Sequence, residues 1–210
     1  FGQVRQLDAV APRFLIALSG QCPLISSGAE IAFVDIDDTI RSTYGYAKQG
    51  AAFGYTRQRG LNVQVATVST PLAAPVIARA RLRRGNTASD KGAGRMLAQA
   101  ITTARAAGVA GRVMCRADSA YYGWAFVGTA IRHGAWFSVT ARMTKTVTAA
   151  ITGIPADAWT AIVYPDAIDD DAEQRWVSDA EVAEVPFVAF TGRRKAEHVP
   201  CRLVVRRVRR

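Results

Sequence analysis

The stretch from Ile31 to Arg83 constrains the fold more than any other, because it holds three β-type segments with no helical periodicity between them. Ile31, Phe33 and the run to Ile36 predict a strand whose side chains alternate between faces, so that Asp35 and Asp37 project from the same side. Leu61 to Val68 predicts a second strand with Val63 and Val65 on one face. Ser69-Thr-Pro-Leu-Ala73 supplies a turn, and Val76 to Arg83 alternates again until Arg84-Gly85-Asn86 ends the run. Three such strands favour an antiparallel meander.

The pattern then changes period. Met96, Leu97, Ala100, Ile101 and Ala104 recur at helical spacing, with Ser89 or Asp90 as the expected cap and Gly108 as the stop. Arg112 to Ala117 predicts a short buried strand ending at Asp118, Tyr122 to Arg132 a helix stopped by His133-Gly134, and Ala135 to Thr140 another strand. The series is β-β-β-α-β-α-β. Before it, residues 1–30 form a leading segment with one helical stretch, Val10 to Leu18. After it, residues 141–210 predict a mostly β subdomain with a short helix at Thr144 to Ala150 and strands at Val185 to Phe190 and Arg202 to Val208. The beginning at Phe1 and the end on a strand both fit an excerpt of a longer protein.

Charge narrows the classes of function. The 210 residues carry 27 Lys+Arg against 17 Asp+Glu, a formal net charge of +10. Nine of those acids lie between Asp157 and Glu184 beside a single base, Arg175, so the remainder of the chain is more basic still. Basic residues concentrate between Arg79 and Arg95 and between Arg193 and Arg210. Such a balance points to a polyanion, and to nucleic acid ahead of a membrane surface, since no lysine-rich amphipathic helix with an aromatic face occurs. No apolar run approaches the roughly 20 residues of a membrane span. Cys22, Cys115 and Cys201 are odd in number and far apart, which suits a reducing cytoplasm and gives no Cys-x-x-Cys site. With only His133 and His198, a multi-histidine metal centre is excluded.

Two carboxylates stand out by position. Asp37 falls near the end of the first strand and Asp118 at the end of the first strand after the meander. If those strands pair side by side, both carboxylates converge at one end of the sheet. Hard oxygen donors of that kind suit Mg²⁺ or Mn²⁺, ions able to polarise a phosphodiester and activate a hydroxyl or water. The alternative at this point is that both residues cap strand ends and turns.

Four segments in order resemble DDE transposases of the IS4-like superfamily, closest to the IS1380 group. They are Phe33-Val-Asp-Ile-Asp-Asp-Thr-Ile40, Tyr44-Gly-Tyr-Ala-Lys-Gln-Gly50, Arg81-Leu-Arg-Arg-Gly-Asn86 and Cys115-Arg-Ala-Asp-Ser-Ala-Tyr121. The resemblance implies an α/β fold, an RNase H-like core over residues 31–140, with residues 141–210 as a β-rich insertion subdomain. It implies Asp37 and Asp118 as catalytic metal ligands for Mg²⁺ or Mn²⁺, with Asp35 and Thr39 in support. Lys48, Arg57, Arg59, Arg83, Arg84 and Arg116 become candidate phosphate contacts, and Tyr121 a candidate stacking residue at a distorted DNA end. The implied partners are double-stranded transposon ends and target DNA, with self-association on DNA, in a bacterial cytoplasm and away from membranes. The family's catalytic glutamate lies on a helix beyond the insertion, and none of Glu181, Glu184 and Glu197 occupies such a position, so the excerpt alone is expected to be inactive.

Two other readings remain open. Asp35-Ile-Asp37-Asp-Thr39 also fits the Asp-x-Asp-x-Thr signature of haloacid-dehalogenase-like phosphatases, with Asp35 as nucleophile and Asp37 as acid/base. That fold requires a helical crossover after the first strand, where this sequence leads into a meander. The third reading is a catalytically incomplete DNA-binding remnant.

Overall fold

The computed structural model describes residues 2–45, 47–162, 169–170, 175–176 and 180–208. They divide into two compact units, Phe1–Ala141 and Arg142–Arg210.

The first unit is built on β1 (Ile31–Ser42), β2 (Ala52–Phe53), β3 (Arg59–Ser69), β4 (Val76–Arg84), β5 (Arg112–Ala117) and β6 (Trp136–Val139). Its helices are α1 (Gly2–Ser19), α2 (Ala93–Ala106) and α3 (Trp124–Arg132). The order through this unit is the expected β-β-β-α-β-α-β series with the two-residue β2 added. β1, β3 and β4 form an antiparallel meander, whereas β5 and β6 join parallel on the other side of β1. The spatial order is β4-β3-β1-β5-β6, with β2 continuing the β4 edge of β3. This is an α/β fold with a mixed sheet.

Alternation along β1 explains its place at the centre. Ala32, Val34 and Ile36 are at most 2% exposed, while Phe33, Asp35 and Asp37 take the opposite face. The buried row meets α2, whose Met96, Leu97, Ala100, Ile101 and Ala104 form an apolar stripe with no residue above 3% exposure. Burying each larger side chain contributes about 1.5–3 kcal/mol relative to leaving it in water. At the far end of the meander the strands approach so closely that Gly85 is obligatory. A Cβ there would lie 2.1 Å from the Gly60 carbonyl oxygen and 2.4 Å from that of Ala52.

Several details depart from the sequence reading. Val63 and Val65 share a face of β3 as expected, but the face turned inward is that of Asn62, Gln64, Ala66 and Val68, all fully buried. α2 is capped neither by Ser89 nor by Asp90; Gly92 precedes it at φ 79° without a side-chain cap. The backbone forms that turn, and the Ser89 carbonyl accepts from Gln64 instead. The leading helix is longer than Val10 to Leu18 and belongs to the first unit. Pro12 inside α1 cannot donate to the Asp8 carbonyl one turn back. Arg79 of β4 supplies that bond from Nη1 at 3.1 Å, while Arg81 Nη2 holds the Asp8 carboxylate at 2.9 Å.

The second unit contains α4 (Lys145–Thr152), capped by the Thr144 hydroxyl, and a sheet ordered β11-β10-β7 from Val199–Val208, Ala180–Ala189 and Thr160–Ile162. β10 and β11 form a long antiparallel hairpin. Glu184 pairs with Arg202, Glu181 with Arg207 and Glu197 with Arg193, so all three glutamates serve local ion pairs. A short antiparallel pair joins β8 (Asp169–Asp170) to β9 (Arg175–Trp176), and Asp171 lies outside the described residues. No described helix is long and apolar enough to cross a membrane.

Candidate metal and DNA site

The site is made by the point at which two parallel strands part. The β1–β5 register ends on the pair Ile36↔Ala117, and the next residues on the two chains are Asp37 and Asp118. β1 continues beyond that point as the antiparallel partner of β3, whereas the chain after β5 turns into a single 3₁₀ turn, Ser119–Tyr121. Asp37 and Asp118 are both exposed. Each carboxylate is oriented by a local backbone donor: Asp38 N–H reaches Asp37 Oδ1 at 2.7 Å, and Ala120 N–H reaches Asp118 Oδ1 at 2.9 Å. The strand alternation and the strand end therefore put both groups at one end of the β1–β5 pairing, and one of them, Asp118, caps the short turn.

Tyr55, which the sequence reading passed over, reports the field at this end. Its phenol is raised above the ordinary tyrosine value, first by partial burial and then by the charges of Asp38, Asp37 and Asp118. Of these three carboxylates, Asp38 faces the other side of β1 and is paired with Arg83, which leaves Asp37 and Asp118 for a hard cation. Mg²⁺ commonly keeps several waters and binds through one or two protein carboxylates plus phosphate oxygens. Asp37 and Asp118 fit that demand as donors. Among the described residues, no group of three or more His, Cys, Asp or Glu side chains assembles into a metal-holding cluster.

Asp35 occupies the same face as Asp37 but is committed elsewhere. Directly opposite in register on β5 stands Arg116, whose Nε and Nη2 grip the two Asp35 oxygens at 2.6 and 2.7 Å. Its guanidinium also lies 4.2 Å above the Phe33 ring, and the bond to Asp35 holds it above the ordinary arginine range. A carboxylate held in this bidentate way is a poor nucleophile. Together with the antiparallel partner that follows β1, it removes the phosphatase reading. Arg116 is likewise a partner of Asp35 rather than a side chain free for phosphate. Thr39 is exposed on the outer face of β1, one alternation beyond Asp37.

Two other expected DNA contacts are inside the protein. Tyr121 is 1% exposed and donates its hydroxyl to Asp38 Oδ1 at 2.9 Å. Burial, ahead of the Asp38 charge, raises its phenol strongly. Arg83 lies on the helix-facing side of β4, 3.4 Å from Asp38 Oδ2, and the two side chains are 8% and 2% exposed. Burial lowers its pKa from the ordinary arginine value, with Asp38 opposing that shift. Neither can stack on or clamp DNA from this position. Asn62 completes the set, donating to Asp38 and accepting from Arg83 Nε at 2.8 Å. The missed signal was the polar pair Asn62 and Gln64 in register with Ala66 and Val68.

The remaining basic candidates lie towards the far end of β1, where Arg84 and Leu61 stand in register with Arg41, four residues past Asp37. Lys48 and Arg57 are exposed on the connection between β1 and β3, Arg84 is exposed at the end of β4, and Arg59 begins β3 with Nη1 on the Gly45 carbonyl at 2.8 Å. All four are close in topology to the last residues of β1.

Residues 25–207 match the sequence family described as transposase DDE domain, group 1. The chain belongs to the DDE transposase family. No curated protein matches it. Among solved structures, a piggyBac transposase synaptic complex with hairpin DNA aligns at 7% identity and TM-score 0.35, over 72% of this chain and 30% of that one. A Mos1 transposase paired-end complex with the left transposon end aligns at 13% identity and TM-score 0.33, over 66% and 42%. A Mos1 strand transfer complex aligns at 15% identity and TM-score 0.29, over 71% and 48%. This DDE domain thus spans less than half the length of each of these solved transposases.

Proposed function

We propose that this DDE domain is the major part of the catalytic core of an insertion-sequence transposase of the IS1380 group, acting on element ends and target DNA by metal-dependent cleavage and strand transfer. The observation that supports the reading is the register of β1 and β5, which leaves Asp37 and Asp118 side by side at the sheet end. Asp37 and Asp118 hold Mg²⁺ or Mn²⁺ through carboxylate oxygens; the local donors on each keep the two groups turned towards solvent. When bound, the ion supplies Lewis-acid polarisation of the phosphodiester and a lowered pKa for water. Lys48, Arg57, Arg59 and Arg84, beyond the two acids towards the far end of β1, hold backbone phosphates, a contact that positions the duplex without reading its sequence. In cleavage a water oxygen attacks phosphorus, the bond to the 3′ oxygen breaks and a 3′ hydroxyl and a 5′ phosphate result; in transfer the freed 3′ hydroxyl attacks a target phosphodiester, the target's own P–O3′ bond breaks, and the proton passes to the released target 3′ oxygen. Self-association on DNA, in a bacterial cytoplasm, belongs to the same reading.

The test is nicking of supercoiled plasmid by the parent protein with Mn²⁺, beside Asp37→Asn and Asp118→Asn. Metal-dependent cleavage abolished in both variants is the expected result. Cleavage that survives both substitutions refutes the assignment, and salt-sensitive DNA binding without cleavage by folded parent protein assigns a binding-only remnant instead.

A further inference from the structure

The buried polar network beneath the two acids joins the chain segments that carry them. Asp38 follows Asp37 on β1 and points to the opposite face, where its side chain is 2% exposed. Tyr121 closes the 3₁₀ turn that Asp118 caps. Its hydroxyl donates to Asp38 Oδ1 at 2.9 Å, so a bond spans the segments just past the last β1–β5 pair. The second Asp38 oxygen is held by Asn62 and by Arg83. Arg83 is itself fixed, with Nη1 on the carbonyls of Lys91 at 2.7 Å and Ala88 at 3.3 Å. Gln64 donates to the Tyr121 hydroxyl at 3.5 Å and to the Ser89 carbonyl at 3.0 Å, which leaves the tyrosine proton directed at Asp38.

We propose that the Tyr121–Asp38 bond is a clamp that sets the separation of Asp37 and Asp118, making Tyr121 a positioning residue for the divalent cation. This rests on the metal reading given above. An apolar contact would fill the same volume, but it would not fix direction. A carboxylate in a water-poor site must keep its partners, so the network resists sliding of β1 against the turn. Partners that orient metal ligands from behind commonly alter affinity 10- to 100-fold when removed.

Tyr121→Phe deletes the hydroxyl and retains the ring packed against Phe126, 6.5 Å away between centroids. The measurement is Mn²⁺ affinity of the chain by electron paramagnetic resonance of the free ion, paired with the urea midpoint of each variant. Wild type, Asp118→Asn, Tyr121→Phe and Met96→Ala are compared; the last removes a fully buried side chain of α2 outside the network. The clamp predicts roughly tenfold weaker Mn²⁺ binding for Tyr121→Phe and unchanged binding for Met96→Ala despite its lower midpoint. Wild-type affinity in Tyr121→Phe, with binding lost in Asp118→Asn, overturns the clamp and leaves the metal pair standing. Weakening that merely tracks the urea midpoint across both core variants also overturns it. Equal binding by wild type and Asp118→Asn overturns the metal pair and the clamp together. Should Tyr121→Phe not fold, Gln64→Leu, which frees the tyrosine proton from its directing partner, is read against the same outcomes.

Discussion

Replacing Arg83 by Met is expected to destabilise the first unit by about 3–5 kcal/mol, the usual cost of leaving one member of a buried ion pair without the other. The structure fixes the terms of that estimate. Asp38 is 2% exposed and Arg83 8%, with 3.4 Å between them, so water cannot replace either partner. Met also withdraws the donors to Asn62 and to the carbonyls of Lys91 and Ala88. Asp38→Asn keeps an oxygen for Tyr121 but strands the guanidinium, and a loss of similar size, about 3–5 kcal/mol, is expected. In the double variant no uncompensated charge remains. Its loss is therefore expected to fall short of the summed single losses by at least about 2 kcal/mol. Urea titration followed by the helical circular dichroism signal measures all four proteins, since most described helix lies in the first unit. Losses that add to within about 0.5 kcal/mol refute the pairing. So do single variants within about 1 kcal/mol of wild type.

Two further outcomes follow from the charge arrangement and the buried thiol. Arg57→Ala/Arg84→Ala is expected to lower the slope of log binding constant against log salt by about 2 for duplex DNA, as each lost phosphate contact removes about 0.9; an unchanged slope places DNA elsewhere. Burial pushes the Cys115 thiol from 9.0 up to about 12, so the folded state binds that proton more tightly than the unfolded state. The stabilisation is complete below about pH 9 and disappears as pH rises towards about 12. Cys115→Ala is accordingly expected to flatten the fall in urea midpoint over that window, and an identical fall in both proteins contradicts it.

Residues whose role depends on period alone were legible from the chain. The alternation of Ile31 to Ile36 places Asp35 and Asp37 on one face, and the helical spacing from Met96 to Ala104 identifies the stripe that covers the opposite face. The turn residues between β3 and β4 were enough for a meander, because short connections leave antiparallel pairing as the easy solution.

What period cannot supply is the identity of the neighbour. Asp35 and Asp37 are equivalent by alternation, yet Asp35 is opposite Arg116 and Asp37 is one step past the last pair, opposite the strand end at Asp118. Arg83 and Tyr121 look like surface cation and stacking ring in a basic chain. Both are buried because Asp38, Asn62 and Gln64 face them across strands β1, β3 and β4. β3 carries apolar residues on both faces, so its own pattern could not say which side met the helices. The sequence sets local geometry through steric and dihedral preference, which act over a few residues. Pairing, burial and charge compensation act between residues as far apart as Asp38 and Tyr121, and only the folded sheet brings those together.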